Sequence, residues 1–239
     1  MKLQTVLKQL FSITIVMVMA SSCLMKQGTI PDTTNVDDVF AKNLYKSHIQ
    51  PLFRTAELAE CFRKCIECGM DPNQTSTICN SFFGSYFIPE RLFDYELSCT
   101  NWGKIRATSE ENKFIVEPAG TNEYNLLTVI YGEDGDWHIH GEYLNNNNKV
   151  LRNNEIFAVV SIDDNTTSII NLEMSMEESN GDKAEMSVSS DPLTMPLASL
   201  GNYYEYPTSG VIKCSLTGGY TKSFNIKYSK LSSSIIEVK

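Results

Sequence analysis

The chain has little histidine: its 239 residues contain three, His48, His138 and His140. That scarcity restricts the chemistry available for proton transfer, because histidine is the side chain most often used as a general base near neutral pH. There is no G-x-S-x-G elbow for a serine hydrolase, no phosphate-cradling glycine loop and no dinucleotide fingerprint. Positive charge is also short, with 20 Lys and Arg against 29 Asp and Glu, a net charge of −9 and a pI near 4.9. A nucleic-acid partner would demand a basic face, so that class is excluded, and the acidity reads as a well-solvated surface. No repeat period points to a propeller or solenoid. No cofactor is implied.

The prominent apolar run, "LFSITIVMVMA" from Leu10 to Ala20, follows Lys2 and Lys8 and precedes the small residues Ser21 and Ser22. It is shorter than the roughly 20 apolar residues a spanning helix requires, which makes it an export signal. The next residue is Cys23, and "MASSC" resembles the lipobox of bacterial lipoproteins, in which the cysteine becomes the lipidated first residue of the mature chain. The match departs from the usual pattern at Ala20, where leucine is common, and at Ser22, where glycine or alanine is common. The resemblance implies an outer-membrane lipoprotein, lipid-anchored and either periplasmic or surface-exposed. Cleavage after Ala20 instead would yield a secreted soluble protein.

Export sets the reading of the remaining cysteines, Cys61, Cys65, Cys68, Cys79, Cys99 and Cys214: six thiols in an oxidising compartment form a disulfide framework, which allows 15 connectivities. "TAELAECFRKCIECG" has helical periodicity, with Thr55 placed to cap it and Gly69 to end it. On that helix Leu58, Cys61, Cys65 and Cys68 form one apolar stripe, presenting sulfurs to different partners, of which Cys79 and Cys99 are the nearest in sequence. Cys214, in a β-like stretch where it shares a face with Ile212 and Leu216, is either the third partner, tying the helical piece to the sheet, or a buried free thiol. The Cys61, Cys65, Cys68 spacing also resembles the cluster-binding motif of radical-SAM enzymes. That motif carries an aromatic residue before its last cysteine, where this chain has Glu67. A redox protein built on the same three cysteines requires an exposed thiol of low pKa.

Upstream, Val36, Phe40, Leu44 and Ile49 lie near helical spacing, with Pro51 just past the expected end. From Lys113 onward the pattern changes to short β-branched and aromatic runs separated by turn clusters such as "GEDGD", "DDNTT" and "ESNGD". In one of them Ile170, Leu172, Met174 and Met176 alternate with polar residues. The chain is therefore expected to be mainly β with a helical N-terminal segment (α+β), the strands forming an antiparallel β-sandwich or barrel. The expected divisions are a signal peptide over 1–22, a lipidated cysteine and flexible tether over 23–36, a helical cysteine-rich segment over 37–105, and an antiparallel β domain over 106–239.

Two places draw attention as sites. "GEDGDWHIHGEY" resembles the opening of the first cupin motif, whose paired histidines begin a metal site. On a strand His138, His140 and Glu142 share one face and are the metal candidates. The cupin glutamate is missing, Leu144 and Asn145 standing where it belongs, and no later histidine completes a second motif. Glu133, Asp134 and Asp136 lack the spaced ligands of a Ca²⁺ loop. The second place is "LGNYYEYPTSG", where Tyr203, Tyr204 and Tyr206 are candidates for stacking on a glycan or protein ligand, or for closing one end of the core. The functional expectation is a non-catalytic binding or structural module at the cell envelope, anchored to the membrane by its N-terminal lipid, the alternative being a metal-dependent enzyme or metal-binding protein using His138 and His140.

Overall fold

A computed structural model describes residues 45–69, 77, 89–93, 95–119, 126–144, 150–177, 183–188, 191–197, 206–218, 222–229 and 232–238. Cys23, Cys79, Tyr203 and Tyr204 lie outside these residues, as do the signal and tether segments. The expected class is the one that forms: a helical N-terminal segment followed by a large antiparallel sheet.

Tyr45–Ile49 is a π-helical turn that runs directly into helix α1, Gln50–Glu67. Pro51 stands in the first turn of α1, not beyond the end of an earlier helix. This is where proline fits a helix, since the first N–H groups have no intrahelical acceptor. Thr55 is correspondingly inside the helix and buried, not a cap. Gly69 does end the helix, with φ of +70° and its N–H donating to the Ile66 carbonyl at 2.9 Å.

The strands are β1 Pro89–Phe93, β2 Glu96–Cys99, β3 Gly103–Ala107, β4 Lys113–Pro118, β5 Leu127–Tyr131, β6 Trp137–Leu144 and β7 Val150–Ile162. They continue with β8 Thr166–Glu177, β9 Lys183–Val188, β10 Leu193–Pro196, β11 Ser209–Thr217, β12 Lys222–Ser229 and β13 Ser232–Val238. All pair antiparallel in one continuous sheet, each strand beside its sequence neighbour up to β8. Beyond it, β9 and β10 share a single position between β8 and β11: β10 pairs the start of β8, and β9 pairs its end. The sheet begins at Pro89, inside the stretch expected to be helical, and β3 straddles the expected boundary at 105/106. Strands of four or five residues leave too few positions for alternation to stand out.

Helix α1 packs against β3 through β8. Leu52, Phe53, Ala56, Leu58, Ala59 and Phe62 are all buried, and the burial extends round the helix far enough to enclose Thr55, Glu57 and Glu60 as well. The sheet's inner face meets it through Phe114, Val116, Val129, Trp137 and Ile139, all within one hydrophobic core. Ring contacts tie the layers together, Phe62 to Phe114 at 5.7 Å and Phe114 to Trp137 at 5.9 Å. Each such fully buried side chain contributes roughly 1.5–3 kcal/mol.

The alternation expected along β8 is broken at one point. Val159 pairs Asn171 while Val160 pairs Ile169, so Ile170 is an extra residue in the ladder. This β-bulge buries Ile169 completely and leaves Ile170 44% exposed, so Ile170 does not share the inner face with Leu172 and Met174.

Candidate functional site

The cysteines divide by position. Cys61 and Cys65 face the core from α1, as the stripe requires, and Cys61 is disulfide-bonded. Cys68 departs from the stripe: it occupies the cap position after the last turn, is exposed and carries a free thiol. Cys99 is buried at the end of β2. Cys214 shares the inner face of β11 with Ile212 and Leu216 and carries a free thiol, so of its two readings the buried thiol holds and the bond to the helix does not. Its register partners are Met186 on β9 and Phe224 on β12, so apolar neighbours seal it, and burial pushes its thiol up to about 12. Cys61, being oxidised, is no cluster ligand.

The histidines of β6 point to the outer face of the sheet, between the buried Trp137 and Ile139. They do different things there. The Nε2 atom of His138 lies 3.0 Å from a carboxylate oxygen of Asp134 in the preceding turn. That contact holds the Asp134 carboxyl below its ordinary value, helped by the Asp136 N–H. The ring sits directly over Gly132, where an added Cβ would come within 2.7 Å of Nε2. His138 thus secures a hairpin whose Gly132 N–H donates to the Asp136 carbonyl at 2.9 Å. His140 instead packs its ring 4.9 Å from that of Phe157. Burial, and secondarily the neighbouring His138, keeps its pKa below the usual imidazole value. Among the described residues no group of three His, Cys, Asp or Glu side chains could hold a metal ion; the Glu142 side chain lies outside them.

Tyr206 turns inward. Its ring lies 5.3 Å from Tyr45, which in turn is 5.9 Å from Tyr228, and Lys46 stands over it at 5.7 Å. Of the two roles weighed for this tyrosine, its packing matches closure of one end of the core.

A concavity among the described residues lies elsewhere, and no sequence motif marks it. An open groove of about 1020 Å³ crosses the outer face of the sheet from β5 to β12. Antiparallel register builds its floor in rows. His140 pairs Phe157, Phe157 pairs Glu173, Glu173 pairs Ser187, Ser187 pairs Lys213, and Lys213 pairs Asn225. In the adjacent row Glu155 pairs Ser175, Ser175 pairs Glu185, Glu185 pairs Ser215, and Ser215 pairs Ser223. Thr128 on β5 extends the first row from His140. Because side chains alternate across a strand, every one of these groups stands opposite a buried residue such as Ile156, Met174 or Met186. With strands about 4.8 Å apart, seven of them make a face roughly 29 Å long. Carboxylates, hydroxyls, an amide, an ammonium and an imidazole therefore line a trough with one phenyl ring near one end.

A second polar feature lies beneath the sheet. Glu57 of α1 is buried and accepts hydrogen bonds from Trp102 Nε1 at 2.7 Å and from the Thr167 hydroxyl at 3.2 Å. Burial raises its carboxyl to about 7 despite those bonds. His48, in the preceding π turn, is wholly buried and pushed down to about 3 by desolvation. Both are buried within the fold, away from the groove lining, and neither is placed for chemistry on a ligand.

No family model, curated protein or solved structure matches the chain. The candidate site therefore rests on its own geometry.

Proposed function

We propose that the chain is a non-catalytic binding module of the cell envelope, and that it holds an extended glycan across the outer face of its sheet. The observation that carries this reading is the register-aligned trough: a volume at the upper end of small-molecule sites, with polar groups spaced regularly along it. The backbone groups of its floor are consumed by the ladders, so the trough offers side chains alone. A peptide added to a sheet gains most of its affinity from main-chain bonds at an edge, which this face does not supply. Sugar hydroxyls both donate and accept, which suits a lining that mixes carboxylate, hydroxyl and amide groups. Phe157, half-buried beside His140, supplies the flat apolar surface on which a pyranose ring stacks.

The envelope location rests on the sequence, through the export signal and Cys23. Lipid on that cysteine would place the trough at the membrane surface, and cleavage after Ala20 would release it. An oxidising compartment also suits the oxidised Cys61. The test has two parts. Intact mass of the protein from its native membrane fraction should show an acyl adduct on Cys23. A glycan array probed with the full chain and with Phe157→Ala should show binding that the substitution removes. A chain that binds no glycan, or binds equally without Phe157, contradicts the reading.

A further inference from the structure

We propose that the trough selects an oligosaccharide built of amino-sugar units, discriminating against neutral and acidic chains; this rests on the glycan-binding reading above. The charges of the lining carry the inference. Glu155, Glu173 and Glu185 are exposed lining groups, and Lys213 is the one ammonium among the described lining residues. Their placement relative to Phe157 matters more than their number. Glu173 is the direct cross-strand partner of Phe157 on β8. Glu155 lies two residues before Phe157 on the same face of β7, about 7 Å away along the strand. A pyranose stacked on Phe157 thus has a carboxylate on two of its sides.

Glu185 continues the series: its partner Ser175 lies two residues from Glu173, placing it diagonal to that carboxylate. The next sugar along the trough therefore meets a carboxylate as well. An ammonium at the ring edge makes a charge-assisted hydrogen bond to such a group, about twice as strong as a hydroxyl makes. A uronic acid in the same place meets like charge. His140 packs its ring against Phe157 at this end of the trough, and burial holds its pKa below the usual imidazole value. A flexible basic peptide would satisfy the carboxylates but has no flat apolar face for Phe157, so it is the alternative that the experiment must separate.

The experiment is calorimetric titration of the full chain, in mildly acidic buffer, with four probes of equal length: a glucosamine hexamer, its fully N-acetylated counterpart, a galacturonic acid hexamer and hexalysine. The glucosamine hexamer should bind about tenfold more tightly than the N-acetylated one, one charge-assisted bond's worth. The galacturonate should not bind. The preference should shrink when salt is raised from about 0.05 to about 0.3 M, and also in Glu173→Gln. Phe157→Ala should weaken both glucosamine-based sugars, and matching unfolding curves for the variants will show that they fold. Equal binding of the two glucosamine-based sugars overturns charge selection while leaving glycan binding intact. Hexalysine binding as tightly as the amino sugar overturns the proposal by making the face a plain acidic surface. Failure of every sugar overturns this inference together with the reading on which it rests.

Discussion

Replacing Glu57 by glutamine should stabilise the protein, and far more at about pH 8 than at about pH 5. The carboxyl is buried between α1 and the sheet, and its pKa is raised from 4.5 to about 7. A raised carboxyl pKa means that the folded state holds its proton after the unfolded chain has released it. Stability is therefore lost as pH rises through the interval from 4.5 to about 7, and the full displacement corresponds to roughly 3 kcal/mol. Glutamine keeps both partners: its carbonyl can accept from Trp102 Nε1, and its amide can donate to the Thr167 hydroxyl. It removes the cost of ionising a buried group.

Between about pH 5 and about pH 8 the advantage of the variant over the wild type should grow by about 2–3 kcal/mol. His48 titrates oppositely. Its pKa is depressed to about 3, so the unfolded chain binds the extra proton and stability rises with pH up to about 6.5. That contribution is common to both proteins and cancels in the difference between them. In the wild type the two contributions therefore oppose each other over this range, while in the Glu57→Gln variant the rise from His48 is no longer offset by Glu57. Urea unfolding followed by tryptophan fluorescence reads both proteins, since Trp102 and Trp137 are buried and the former is the hydrogen-bond partner itself. An advantage of equal size at the two pH values would refute the account of Glu57 as a buried, protonated carboxyl.

Other consequences are as direct. Ile169→Ala should cost about 2–5 kcal/mol, while Ile170→Ser one residue away should cost less than about 0.5, because the bulge puts only Ile169 in the core; equal costs would mean the register is wrong. A thiol reagent should label Cys68 rapidly in the native protein and Cys214 only on unfolding, as mass spectrometry of the labelled peptides would show; native labelling of Cys214 would place it outside the core. Gly132→Ala should dislodge the His138 ring and raise the Asp134 pKa towards its ordinary value, visible in a carboxylate NMR titration, and an unchanged titration would mean the contact is not formed. Glu57→Ala, unlike the glutamine change, should destabilise by about 1–3 kcal/mol at the acidic end through the orphaned Trp102 and Thr167 donors; a neutral effect there would show those bonds to be unimportant.

The fold class was legible because several strands keep a period of two: Ile212, Cys214 and Leu216 alternate in the sequence and are all buried in the structure. Alternation fails as a guide at Ile170, where one additional residue reverses the phase and nothing local announces it. Pro51 is compatible with a helix beginning or ending, and only the continuous turn from Tyr45 decides between them. The groove was illegible for a deeper reason. His140, Phe157, Glu173, Ser187 and Lys213 each occupy an ordinary outward position on five different strands, and only register aligns them. Glu57 likewise reads as a surface residue of an amphipathic helix until Trp102 and Thr167, far along the chain, are brought to it.

The most direct test of a ligand site on the outer face is an NMR titration of the full chain with the glucosamine hexamer, following assigned amides and aromatic rings. The account predicts saturable shifts at Phe157, His140, Glu173, Ser187 and Lys213, with Tyr206 and Tyr228 unmoved. Shifts gathered around Tyr206, or none along the trough at saturating sugar, would contradict it.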